Sequence, residues 1–257
     1  MSDIDAGELH WEMDMETNYF RFDEVRPGTP EYELYLEARY QVFVAELHRV
    51  DEGEARSSGG HPIETDRYDA TSRHFLAVHK ATGSVAGFVR VILPSEVGLN
   101  VTPRYVIDRP LPYEDATDAN IGEISRMAIA PHYRRRHEDQ GKPYQGDPEA
   151  EMSGKAEGFR QHQPELVLGL YREVYRLCRE VGIDYCVAAM DNRFSRVLIG
   201  LGFPFVAIGP INENVQPPRR VYLVSAAEME RSLTMRVADV MRFMQADGAV
   251  KVGEKGR

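Results

Sequence analysis

The stretch ELVLGLYREVYRLCREVGIDYCVAAMDNRFSRVLIGLGF, residues 165–203, changes its hydrophobic period twice. In its first part Leu166, Leu170, Val174 and Leu177 recur every three or four residues, the spacing of one helix face, and Gly182 supplies the stop. Ile183 to Met190 is a short continuous apolar run, which reads as a buried strand. Asn192 to Leu201 returns to helical spacing and ends at Gly202-Phe203. Helix, strand and helix in succession predict a sheet with helices packed on it.

Outward from this stretch the same unit sizes recur. Tyr19 to Val25 alternates as a strand, and Thr29-Pro30 gives an N-cap followed by proline at the first helical position. Leu36, Tyr40, Phe43 and Leu47 then share a helix face to about His48. Residues 51–73 are loop-like, with Ser57-Ser58-Gly59-Gly60 and Pro62. His74 to His79 and Val85 to Leu93, separated by Ala81-Thr82-Gly83, form a hairpin. A proline-rich connection, Pro94 to Asn120, leads to a strand from Ile121 to Ala130, closed by Pro131. Downstream of the opening stretch, Pro204 to Ile208 and Arg219 to Val224 are strands, and Met229, Leu233, Val237, Val240 and Met244 mark an amphipathic C-terminal helix. The expected organisation is a flexible acidic leader (1–18), one domain (19–225) interrupted by a polar insertion (132–163), and a C-terminal helix and tail (226–257). This is an α+β domain with one central mixed, twisted sheet flanked by helices.

Composition narrows the function. The chain has 257 residues, 42% hydrophobic and 28% charged, with a net charge of −10. That is long enough to bury a sizeable core and too acidic for a general nucleic-acid binder. No apolar run approaches the ~20 residues that span a bilayer. The N-terminal Met-Ser-Asp-Ile-Asp-Ala-Gly-Glu lacks the basic and then apolar order of a secretory signal, so a cytoplasmic protein is expected. Cys178 and Cys186 are not in Cys-x-x-Cys spacing, and the scattered histidines give no metal signature, so no metal site is expected.

The order of elements, together with Asp191 to Phe203 as a late helix ending in Gly-Phe, resembles the GNAT acyltransferase superfamily. Arg39 with Phe43, Asp66-Arg67-Tyr68-Asp69, Arg90 within Val89 to Pro94, and Glu123-Ile124-Ser125-Arg126 occur in the order of its acyl-homoserine-lactone (autoinducer) synthase branch. The longer chain and the insertion look more like the related N-acyl amino acid synthases and the acyltransferases associated with PEP-CTERM/exosortase systems. Two departures, Arg49 and Met127, stand where the lactone synthases carry aromatic residues.

This resemblance implies a GNAT-like fold and an N-acyltransferase moving a fatty acyl group from an acyl carrier protein or acyl-CoA thioester to an amino acid or similar amine. No cofactor would be tightly bound; the donor thioester would be a cosubstrate. It implies Glu123, Ser125 and Arg126 as catalytic and Arg39, Phe43, Asp66, Asp69 and Arg90 as substrate-binding. The alternatives are a lactone synthase using S-adenosylmethionine and a non-catalytic acyl-binding regulator.

The residues themselves constrain these roles. Glu123 and Arg126, three apart, point to opposite faces of a regular strand, so they cooperate only across a bulge. Arg90 lies between Val89 and Val91, where an unpaired charge is expensive; Asp66 or Asp69 could neutralise it. Arg39, Asp66, Asp69, Arg90, Glu123 and Arg126 are thus expected in one ionic cluster, either touching substrate or only shaping a cleft. Where the resemblance implies a glycine-rich phosphate cradle after this strand, Ala130-Pro131-His132-Tyr133 stands instead, which points to a carrier protein as donor. An acidic carrier needs a positive face. Arg172, Arg176 and Arg179 share a helix side, and with Arg134, Arg135 and Arg136 they are the candidate docking surface. Glu173 and Glu180 allow the blander reading of a solvated helix face.

Overall fold

The computed structural model describes residues 19–50, 56–134 and 163–246. The expected leader, most of the insertion with Arg135 and Arg136, and the C-terminal tail lie outside the described residues.

Strand β1 (Phe20–Val25) leads into helix α1 (Pro30–Tyr40), whose first turn is closed by the Thr29 side chain accepting from the Tyr32 N–H. The helix does not run unbroken to His48. From Gln41 to Glu46 it widens into a π-helical turn, which buries three consecutive residues, Val42, Phe43 and Val44. Two strands absent from the sequence reading follow. β2 (Arg56–Ser58) and β3 (His61–Ile63) pair around Gly59 and Gly60, both at positive φ.

Then come β4 (Ser72–His79), β5 (Val85–Ile92), β6 (Ile121–Ile129), α2 (Gln163–Val181), β7 (Tyr185–Asp191), α3 (Asn192–Gly200), β8 (Val206–Ala207) and β9 (Arg219–Ser225). The expected single C-terminal helix is two, α4 (Ala226–Arg236) and α5 (Ala238–Gln245). They break at Val237, whose φ of −146° and ψ of 69° are not helical. The break lets Met229 and Leu233 of one and Val240, Met241, Phe243 and Met244 of the other all reach the core, while Met235 is left exposed.

Seven strands form one sheet in the order β1-β4-β5-β6-β7-β9-β8. Every neighbouring pair is antiparallel except β6–β7, which is parallel and matches only Ile121–Glu123 with Tyr185–Val187. One face, through Val89, Val91, Ile124, Cys186 and Ala188, packs on α2, α4 and α5. The other face is shared. Leu76 and Phe88 lie under α1 and the π turn, while Ile121, Val187 and Leu223 lie under the connection that carries Val101. Gly169 lets α2 approach β1, because a Cβ there would stand 2.1 Å from the Phe22 ring. The structure is therefore the expected α+β arrangement, a mixed sheet flanked by helices.

Candidate active site

β6 is interrupted at the point the sequence made ambiguous. Arg90 pairs with Ser125 and Phe88 with Ala128, so two residues of β6, Arg126 and Met127, oppose the single residue Val89. Arg126 takes a left-handed backbone, with φ of 49°. The bulge turns Arg126 onto the face that already carries Ser125 and Glu123. On its other edge β6 leaves β7 after Glu123, so a wedge opens between the two strands toward their C-terminal ends.

Beside this wedge lies a closed ionic cluster. Arg39 and Arg90 are fully buried, and Arg126 nearly so. Arg39 binds Glu64 at 2.5 Å and Asp69 at 2.6 Å; Arg90 binds Asp66 and Asp69, each at 2.6 Å, and donates to the Ser125 hydroxyl at 3.1 Å. Arg126 binds Glu64 at 2.9 Å and Asp66 at 3.0 Å, with its guanidinium 5.4 Å from the Phe43 ring centroid. Burial alone would raise the three carboxyls. Arg39 and Arg126 hold Glu64 below the ordinary range instead, Arg90 does so for Asp66, and Arg39 and Arg90 for Asp69.

His74 completes the cluster as a neutral ring. Its Nε2 faces the Asp69 carbonyl and its Nδ1 the Tyr35 hydroxyl, each at 3.2 Å. The Asp69 carbonyl can only accept, so Nε2 carries the proton. Burial lowers its pKa to about 4.

The cluster thus gathers Arg39, Phe43, Asp66, Asp69, Arg90, Ser125 and Arg126. Glu123 is not one of its ion pairs, which corrects the six-residue cluster expected from sequence. Glu64 takes that place. Charge balance gave no signal for it, because with Glu123 the expected cluster already matched three arginines with three carboxylates. Glu123 sits next to the cluster on the same face and is equally buried. It accepts from the Val101 N–H at 2.9 Å and the Asn100 side-chain amide at 3.4 Å, both from the connection before β6. Burial raises its pKa despite these donors and the nearby Arg90.

The expected docking arginines divide. Arg172 is buried, with its guanidinium 4.7 Å from the Phe243 ring centroid and 5.6 Å from that of Phe22, so it cannot front a docking surface. Helical spacing placed it with Arg176 and Arg179 but could not foresee rings arriving from β1 and α5. Arg176 and Arg179 are more exposed and contact Glu173 and Glu230. Arg134 ties the end of β6 to the π turn, donating to the Ile129 carbonyl and to Glu46.

Behind the wedge, on the α2 face, Ile124, Tyr171, Phe203, Phe205 and Met229 border an apolar cavity of about 30 Å³. That is room for roughly one water's share of liquid volume. Cys178 and Cys186 stand in its wall with sulfurs 3.4 Å apart; this hydrogen bond, with burial, holds the Cys186 thiol well above its ordinary pKa. Among the described residues no group of three or more His, Cys, Asp or Glu side chains could hold a metal ion. No helix there is long and apolar enough to cross a membrane.

A sheet whose only parallel pair parts into a wedge, next to a bulge and a buried carboxyl, defines a class of fold. Residues 38–141, from the end of α1 through β6 and beyond, match the acetyltransferase (GNAT) domain family. No curated protein matches the chain in sequence. Among solved structures, the CoA-dependent acyl-homoserine lactone synthase MesI superposes with a TM-score of 0.52 at 16% identity, covering 82% of this chain and 94% of its own. The CoA-dependent acyl-homoserine lactone synthase BjaI, solved with SAM and isopentyl-CoA, gives 0.50 at 20% identity over 79% and 81%. FeeM, an N-acyl amino acid synthase from uncultured soil microbes, gives 0.48 at 13% identity over 83% and 94%. The architecture is the GNAT-like acyltransferase fold.

Proposed function

We propose that this protein is a cytoplasmic N-acyltransferase that moves a fatty acyl group from a phosphopantetheine thioester, on a carrier protein or CoA, to the amine of an amino acid. The observation that carries this reading is the wedge. β6 parts from β7 immediately after a buried glutamate and bulges three residues later, so backbone N–H groups near the bulge have no β7 partner and are available to a thioester carbonyl.

The amine nitrogen attacks that carbonyl. The C–N bond forms, the C–S bond breaks, and the sulfur leaves as a thiol after taking up a proton. Glu123 is the group that accepts the proton from the ammonium, directly or through water; its raised pKa brings its basicity toward the task. Arg126 and Ser125 line the same face, held in position by Glu64, Asp66 and Arg90. Arg39, Asp66, Asp69, Arg90 and Phe43 act by fixing that wall, and Arg176 and Arg179 remain available to an acidic carrier.

The small apolar cavity behind Ile124 is where the acyl chain enters, and Tyr171, Phe203 and Phe205 must swing aside to admit a long one. The chain's length and insertion support placing it nearest the acyltransferases associated with PEP-CTERM/exosortase systems. Incubating purified protein with acyl-carrier and acyl-CoA thioesters and a panel of amino acids, then identifying amides by mass, tests the reading. A folded protein that leaves every thioester unchanged overturns it. The rival lactone-synthase reading draws on the same Glu123-Ile124-Ser125-Arg126 segment, and it requires S-adenosylmethionine and a lactone product in the same assay.

A further inference from the structure

The buried cluster answers its three arginines with three carboxylates, but a second group of arginines has no such partners. Arg193, Arg219 and Arg220 line a cleft of about 520 Å³ at the C-terminal end of β7, together with Asp191, Glu213 and Tyr222. None of the three arginines forms a salt bridge among the described residues, although the chain carries ten more negative than positive charges. The Nε of Arg220 is buried with no hydrogen-bond partner. Asp191 caps α3, its Oδ1 accepting from the Arg193 and Phe194 N–H groups, and its charge remains in the cleft beside the arginines.

Depth decides what kind of anion belongs there. The β6–β7 ladder ends at Glu123 and Val187. Met127 in the bulge and Asp191 at the cleft each lie four residues farther along, roughly 13 Å at a strand's rise per residue. The cleft therefore stands level with the bulge, on the opposite wall. The phosphate of an extended pantetheine arm lies roughly 15 Å from its own thioester carbon, by the reach of a chain of peptide-length units. An anion held level with the bulge thus belongs to a small molecule sitting beside the carbonyl.

We propose that the cleft lined by Arg193, Arg219 and Arg220 binds the carboxylate of the acceptor amino acid, and that acidic amino acids are the preferred acceptors. This rests on the acyl-transfer reading for the word acceptor, and on the cleft alone for the site. A guanidinium pairs with a carboxylate through two parallel hydrogen bonds, and the three arginines of the cleft, which outnumber its two acidic residues Asp191 and Glu213, can serve the carboxylates of glutamate or aspartate.

The test is calorimetric titration of the full-length protein with L-glutamate, L-glutamine and the carboxylate-free amine butylamine. Glutamate is expected to bind tightest and at least tenfold more tightly than butylamine. Arg219→Gln combined with Arg220→Gln should weaken glutamate at least tenfold. Arg193→Gln, at an exposed position where the fold is insensitive, should weaken it severalfold. In turnover, the same variants should raise the acceptor KM and leave the KM for the acyl thioester unchanged.

Absence of glutamate binding, equal affinity for glutamate and butylamine, or unaltered affinity in the folded variants overturns the site. The two readings fail separately. Glutamate bound as described with no amide formed from any thioester removes the acyl transfer and keeps the carboxylate site, whereas amides formed with an unchanged acceptor KM in the variants remove the site and keep the transfer.

Discussion

Two groups of arginines flank one wedge, and they use the same side chain to opposite ends. Arg39, Arg90 and Arg126 are buried with Glu64, Asp66 and Asp69, three charges of each sign that answer one another. Arg193, Arg219 and Arg220 form no salt bridge among the described residues and line an open cleft. A guanidinium already held by two carboxylates has little left to offer a substrate, while an unpaired one keeps its full capacity. What separates a wall from a binding site here is whether its charges are already answered.

The largest expected effect tests the closed group. Asp69→Asn leaves Arg39 and Arg90 each short of an anion, and removing one partner of a buried pair costs about 3–5 kcal/mol of stability. Arg219→Gln, at the cleft, should change stability by less than about 0.5 kcal/mol. Urea unfolding compares the two directly, and equal losses would erase the distinction.

The next effect is a pH dependence. His74 is buried neutral with its pKa lowered to about 4, so its contribution is present above its unfolded pKa of about 6.5 and is lost as pH falls toward 4. The loss amounts to about 3 kcal/mol at most. Glu64, Asp66 and Asp69, held below the ordinary carboxylate range, extend the loss at lower pH. His74→Leu should flatten the stability profile between these limits; an unchanged slope would place the titration elsewhere.

Glu123→Gln sharpens the comparison from between the two groups. Turnover should fall about 100-fold, the scale of a lost general base. Stability should hold or rise at neutral pH, because burial raises the Glu123 pKa and the carboxylate is the form the folded state disfavours as pH increases. Retained turnover in the folded variant would remove Glu123 from the chemistry.

The smallest effect is ionic. Raising salt from about 0.05 to about 0.5 M should increase the acceptor KM severalfold through the exposed cleft, and it should barely move the urea midpoint set by the buried cluster.

Much of the framework was legible in the residues. The spacing of Leu36, Tyr40, Phe43 and Leu47 located α1, and the short apolar run after Gly182 located β7. The three-residue interval between Glu123 and Arg126 required either a bulge or no cooperation, and both occurred: the bulge is present, yet among the described residues Glu123 pairs with neither Arg126 nor any other arginine. β2 and β3 escaped because three-residue strands are too short to show alternation. Glu64 escaped because a loop carboxylate carries no periodic signal. The π turn escaped because its hydrophobic spacing is that of an ordinary helix. Arg172 was misplaced because periodicity reports which side of a helix a residue occupies, and nothing of what a distant segment lays over it.

The brevity of the β6–β7 seam has a consequence for how the chain assembles. The sheet consists of two antiparallel ribbons, and three residue pairs join them across the whole inserted segment. A parallel seam between residues as far apart as Ile121 and Tyr185 has loop entropy to overcome, and only three residue pairs return it. A nascent or truncated polypeptide lacking β7 would present β6 as a bare edge, open to pairing with another copy.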